Sequence, residues 1–190
     1  MGFSELLTKL LFARKIEARD GQLLIVGVPM LITPVTFFAY SLLDAFEKNT
    51  LQDYYKIWKR AVNETFSADV EKQFGLKRGR LADWLRELGG ATGWGQIDFV
   101  TVDYEKHRGI VRVKNNPVAM FLSHKVNKPI CYHMAALGAG VASRSFEEEV
   151  DCVEVKCMAL GNPYCEFIIK PKEEIENEKI RKSFSNVLKK

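Results

Sequence analysis

The chain has 190 residues, 47% hydrophobic and 27% charged, which is enough for one sizeable core and leaves little room for a second independent domain. Its formal net charge of +4 comes from basic residues interleaved with acidic ones, so no dense basic stripe marks a nucleic-acid face. The start, Met-Gly-Phe-Ser-Glu-Leu, lacks the basic and long apolar stretches of a secretory signal and the Ser or Thr of a myristoylation site. A cytoplasmic protein is predicted, and in a reducing compartment its four cysteines point to metal or free thiols before disulfides.

Leu6, Leu7, Leu10 and Leu11 recur at helical spacing and predict a short amphipathic helix over 3–12, docked on the core. Residues 21–43 carry no charge and are long enough to span a membrane, but three features argue against it. Pro29 and Pro34 interrupt the run, 23–28 has the composition of a strand, and Asp20-Gly21 is a turn signal. A hairpin over 14–28 follows, then a mostly buried helix over 34–46 with Pro34 in its first turn. A second helix over 51–66 presents Tyr54, Tyr55, Ile57, Trp58 and Val62 as a broad apolar face. The basic joint 77–80 leads to a short helix, 81–88, that Gly89-Gly90 stops.

Alternating strands over 97–104 and 109–113 flank a turn at 105–108, and Asn115-Asn116-Pro117 closes that hairpin. Helices over 118–126 and 130–146 come next, the second begun near Pro129 and rich in small residues. A final strand pair covers 150–157 and 166–170. Pro171 separates it from a charged helical tail, 172–190.

The chemistry is concentrated near the end. In 151–155 the strand period puts Val153 and Val155 on one face and Cys152 and Glu154 on the other. Cys157 lies just past that strand, and Gly161-Asn162-Pro163 turns the chain so that Cys165 returns beside it. Zinc takes about four N, S or O ligands in a tetrahedron, and a turn between paired cysteines supplies half of that geometry. Cys131, near a helix start that favours thiolate, is the natural third donor; Cys152 and Glu154 compete for the fourth place. The spacing matches no tight Cys-x2-Cys knuckle, so buried free thiols and a metal site are equally open readings at this point.

The stretches 129–140 and 153–167, Pro-Ile-Cys-Tyr-His-Met-Ala-Ala-Leu-Gly-Ala-Gly and Val-Glu-Val-Lys-Cys-Met-Ala-Leu-Gly-Asn-Pro-Tyr-Cys-Glu-Phe, resemble the 4-vinyl reductase domain. That domain also forms the effector-sensing part of bacterial activators of aromatic catabolism. The resemblance implies a zinc held by Cys131, Glu154, Cys157 and Cys165, with Cys152 outside the ligand set. Four protein ligands make a closed, structural site that ties the helix at Cys131 to the last hairpin. The resemblance is densest over 109–171. It implies a single domain over 1–171 and an α/β fold of the α+β kind, a twisted antiparallel sheet with helices packed on it. The small vesicle-tethering subunits of the transport-particle complex have a similar fold, and both families commonly dimerise. The strand and helix order above agrees with that architecture.

His107, His124 and His133 are the only histidines, and none reads as catalytic. The first two sit among charged neighbours, and His133 lies about 200° round the helix from Cys131. The glycine cluster 89–95 runs from helix to strand, the wrong order for a dinucleotide loop, and carries no Gly-Lys-Ser/Thr ending. It reads as a helix stop and connection, with Trp94 packed on the core or closing over a ligand. The resemblance implies a pocket for a small hydrophobic molecule between helices and sheet, and Trp94, Phe99, Phe121 and Tyr132 are its candidate lining. Val113-Lys-Asn-Asn116 stands where the aromatic-effector sensors carry Trp-Glu-Asn-Ser, so phenol recognition is not carried over.

The leading expectation is therefore a zinc-stabilised, homodimeric domain that binds a hydrophobic or hydrocarbon-like ligand as sensor or carrier. A vinyl reductase, or an accessory factor in tetrapyrrole reduction, is the alternative, weakened by the lack of a recognisable nicotinamide or flavin loop. A dimeric interaction module without ligand is a third reading. With no helix-turn-helix or ATPase motif, a signal would leave through a partner protein.

Overall fold

The computed structural model describes residues 15–25 and 27–175, so the helix expected over 3–12 and most of the charged tail lie outside the described residues. β1 (Ile16–Arg19), β2 (Gln22–Ile25) and β3 (Val28–Met30) form an antiparallel meander. Its first turn is the expected one: Asp20 and Gly21 take φ of 50° and 75°, the two-residue loop whose twist suits a hairpin. The strand expected over 23–28 is divided in two. Gly27, at φ 76°, reverses the chain. Pro29 then sits on β3, an edge strand, where a sheet tolerates a missing N–H. No helix among the described residues is long and apolar enough to cross a membrane.

α1 (Val35–Glu47) begins one residue later than expected, with Pro34 as its N-cap. Only Ala39, Leu42 and Ala45 are buried, a narrow stripe three residues apart, while Phe37 and Tyr40 are 66% and 60% exposed. The helix is amphipathic rather than mostly buried. α2 (Leu51–Ala61) runs through a π-helical turn, Val62–Phe66, into α3 (Ser67–Phe74), so the helix expected to end at 66 continues. Tyr55 and Val62 are buried as expected, but Ile57 falls on the outer side, 60% exposed. α4 (Gly79–Ala91) passes through Gly89-Gly90 instead of stopping there. A Cβ on Gly89 would lie 2.9 Å from Ile97 Cδ1, so the glycine is there to let the helix close onto the next strand. The helix ends at Thr92, whose hydroxyl donates to the Leu88 carbonyl at 2.8 Å.

The main sheet has the order β4-β5-β7-β6, antiparallel throughout, from β4 (Gln96–Asp103), β5 (Arg108–Lys114), β6 (Val150–Lys156) and β7 (Cys165–Pro171). Between β5 and β6, α5 (Pro117–Phe121) is shorter than expected. Asn116 caps it, accepting from the Val118 and Ala119 N–H groups at 3.1 Å. α6 (Tyr132–Phe146) lies on one face of the sheet, with α2 and the π turn packed on its other side.

That two-sided burial explains the small residues of α6, among them buried Ala135, Ala136, Ala139, Gly140 and Ala142. Gly140 faces α2: a Cβ there would meet Val62 Cβ and Cγ1 at 2.9 Å and the Lys59 carbonyl at 3.0 Å. Gly138 faces the sheet, where a Cβ would touch Cys152 Sγ at 3.4 Å. At the sheet edge the Tyr55 hydroxyl accepts from the Cys152 N–H at 3.0 Å and donates to Asp151 at 2.8 Å, fastening α2 to β6.

The two glycines have opposite expected responses. Gly140→Ala should lower stability by about 1–3 kcal/mol, because backbone and a branched side chain must yield. Gly138→Ala should be neutral or gain up to about 1 kcal/mol from helix propensity. Chemical denaturation of the two variants checks this pair, and equal midpoints would contradict it.

Candidate functional site

Cys131 is the N-cap of α6, Glu154 sits on β6, Cys157 follows that strand directly and Cys165 opens β7. The turn between the last two is built as its sequence requires. A 3-10 turn, Met158–Leu160, is followed by Gly161 at φ 85°, and Asn162 donates its side-chain amide to the Cys157 carbonyl at 3.0 Å. One donor atom from each of the four residues lies within 4.8 Å of all the others. Cys131 Sγ is 3.9 Å from Cys157 Sγ and 3.7 Å from Cys165 Sγ. A tetrahedron of sulfurs about 2.3 Å from one ion sets them about 3.8 Å apart, whereas a disulfide needs about 2.05 Å.

The three cysteines are fully buried, and all four residues sit in a shell of oriented donors. The Cys131 N–H donates to Glu154 Oε2 at 2.9 Å, the Met158 N–H to Cys165 Sγ at 3.4 Å, and the Asn116 amide to Cys131 Sγ at 3.7 Å. Glu154 Oε1 is buried with no hydrogen-bond partner. A buried carboxylate oxygen left bare beside three sulfurs is what a metal ligand looks like in a protein-only view.

Charge leads to the same place. Hydrogen bonding to Cys157 and Cys165, with burial, pushes the Cys131 thiol well up, so the helix terminus alone does not make it a thiolate. Burial and the neighbouring Cys157 raise the Glu154 carboxyl to about 8. Cys157 goes the other way, lowered because Cys131 and then Cys165 hydrogen-bond to it. Protein atoms alone hold about one negative charge in this space; a dication permits all four donors to ionise. The cluster of buried Cys and Glu can hold a metal ion.

Cys152, the rejected fourth donor, is buried too but faces elsewhere. It lines a cavity of about 420 Å³ between the inner face of the main sheet and α2, α4 and α6, closed at one side by β3. α6 contributes Met134, Leu137, Gly138, Val141, Ala142 and Ser145, a continuous helical stripe. Trp94 and Phe99 are in the wall, as expected from sequence. Phe121 and Tyr132 are not. The Phe121 ring stands against Tyr40 at 5.8 Å and under the Lys125 ammonium at 4.0 Å, because α5 packs on α1. Tyr132 precedes the first cavity-facing residue of α6 and lies beside Glu154, whose charge adds to burial in raising its pKa.

The histidines keep their modest standing. His124 is exposed, and His107 is half-buried with its ring 5.8 Å from Phe146. His133 is fully buried against Trp94, 5.9 Å between rings, with neither ring nitrogen hydrogen-bonded; burial lowers its pKa to about 3 and keeps it neutral. A larger cleft between α2, α3 and α6 is lined by charges that pair across it. Lys59 meets Asp151 at 2.8 Å, Arg144 meets Glu71, and Lys172 meets Glu149 at 3.2 Å. The residues that sequence reasoning did not single out are aliphatic wall positions such as Leu85, Val111 and Leu137. Strand and helix periodicity marks them as inward-facing but cannot separate a cavity wall from solid core.

The vinyl-4-reductase domain model matches residues 110–171, a span that runs from β5 to β7 and contains all four donors. An uncharacterized protein of Methanocaldococcus jannaschii is 34% identical over 50 residues, 26% of this chain and 29% of that protein, so the match spans under a third of the relative. The phenol-responsive sensory domain of the transcription activator PoxR, solved with phenol, has the same fold. It aligns with a TM-score of 0.72 and 14% identity over 95% of this chain and 96% of that one. A vinyl-4-reductase family protein from Methanocaldococcus jannaschii aligns with a TM-score of 0.49 and 20% identity, over 74% of this chain and 83% of that one. The expected resemblance and the expected mixed fold of helices on an antiparallel sheet are thus both found.

Proposed function

We propose that the chain is a metal-clamped domain that binds a small hydrophobic molecule and acts as its sensor or carrier. The observation that carries this reading is the cavity, about 420 Å³ and walled almost wholly by apolar side chains of the sheet and three helices. That size and lining are those of small-molecule sites. The likeness in fold to a phenol-responsive sensory domain supports the sensory role. Zinc is the ion that three thiolates and one carboxylate favour, with Cys131, Glu154, Cys157 and Cys165 as its ligands. Four protein ligands leave no open position, so the ion's work is structural. It fixes the first residue of α6 to the β6–β7 hairpin, and α6 is the long wall of the cavity.

Elemental analysis of the purified protein should find one zinc per chain, and Cys157→Ala should reduce it below about half an equivalent. Zinc content unaffected by that variant would remove the assignment. For the cavity, n-octane and 1-octanol should displace an apolar fluorescent dye from the wild-type protein. Val111→Trp, which fills the space from β5, should weaken that binding at least about tenfold with zinc retained. Failure of either probe to bind the wild type would refute the ligand-binding reading.

A further inference from the structure

Five of the described residues have buried side-chain polar atoms without a hydrogen-bond partner: Thr33, Ser67, His133, Ser145 and Glu154. Glu154 belongs to the metal-donor cluster. Of the other four, Ser145 alone lines the apolar cavity. It is 2% exposed and stands on the same stripe of α6 as Met134, Leu137, Gly138, Val141 and Ala142. Helical periodicity reserves that position for an apolar side chain. A serine inside a helix usually bonds back to the carbonyl four residues earlier, here that of Val141, yet the Ser145 hydroxyl has no partner at all. A buried hydroxyl that forgoes its bond to water and gains none in the protein is destabilising. Its presence in the wall is explained if something that enters the cavity completes it.

We infer that Ser145 is the polar anchor of the cavity, and that the ligand is an apolar molecule carrying one uncharged hydrogen-bonding group, such as an alcohol or ketone. This rests on the ligand-binding reading above and names the ligand class for that site. The hydroxyl can donate one hydrogen bond and accept others, so it serves an alcohol in either sense and a ketone as donor. An ionised head group does not fit at that point. Ser145 is neutral, and its neighbours along the stripe, Val141 and Ala142, offer no counter-charge. The sheet leaves room in front of this part of the helix, because Gly109 in the inward row of β5 has no side chain.

The experiment compares 1-octanol with n-octane on the full chain, in wild type, Ser145→Ala and Ser145→Thr. In wild type both probes bind. Ser145→Ala should weaken 1-octanol about tenfold and leave n-octane within about twofold, and Ser145→Thr, which keeps the hydroxyl, should recover most of the loss. A second measurement separates an anchor from a structural residue: the denaturation midpoint of unliganded Ser145→Ala should equal or exceed that of wild type, since the hydroxyl it removes has no partner. Equal 1-octanol affinity in wild type and Ser145→Ala overturns the assignment while leaving the ligand-binding reading intact. A lowered midpoint in unliganded Ser145→Ala also overturns it, because the hydroxyl would then be bonded within the protein. If neither probe binds wild type, both readings fall together.

Discussion

α6 is buried on two sides, and the distances on those sides are set by residues with little or no side chain. Against α2, Gly140 admits the Val62 side chain and the Lys59 carbonyl to within contact of its own Cα hydrogens. Against the sheet, Gly138 faces Cys152. A helix held this way has few choices of rotation or height, because a shift that relieves one contact tightens the other. Everything of functional interest hangs from it: its first turn begins in the donor cluster, and its middle and end form the cavity wall.

The donor cluster and the cavity are therefore two ends of one mechanical unit. Cys131 joins α6 to the β6–β7 hairpin, while Tyr55 joins α2 to β6 through the Cys152 N–H and Asp151. The wall of the cavity is thus pinned at its N-terminal end and along its flank. The space left between wall and sheet is not a packing failure of one residue. It follows from a row of small groups, Gly138 and Ala142 on the helix and Gly109 on the sheet, that meet where larger ones would have filled the interior. The charge in the cluster works in the same direction. Three thiols and a carboxyl in a buried space oppose each other's ionisation, and a single cation turns that opposition into attachment.

Much of this is legible in sequence, for identifiable reasons. The β4–β5 hairpin, the last strand pair and α6 are signalled by periodicity and turn residues, and they form with boundaries within a few positions of those expected. Cys131, Glu154, Cys157 and Cys165 converge because a short turn and a strand alternation are local geometry, and only the link to Cys131 needs a family pattern. The differences share a cause. Gly89-Gly90 reads as a helix stop, but its glycines answer to Ile97, a contact invisible to local rules. Periodicity assigns Phe37, Tyr40 and Ile57 to buried faces, yet the described residues leave all three exposed, because apolar character does not say which element will cover a face. Aromatic character suggests Phe121 and Tyr132 for the pocket, and packing of α5 on α1 and the start of α6 at 132 put both outside it.

The sequence by itself determined the elements, the turn that brings Cys157 to Cys165, and the family to which residues 110–171 are matched. These depend on spacing along the chain, which a linear text preserves. Which apolar positions border a space, and which polar atom faces into it, only the tertiary structure decided. A cavity is a property of what fails to meet across distant segments, and Ser145 becomes informative only when its hydroxyl is seen to have no partner within reach.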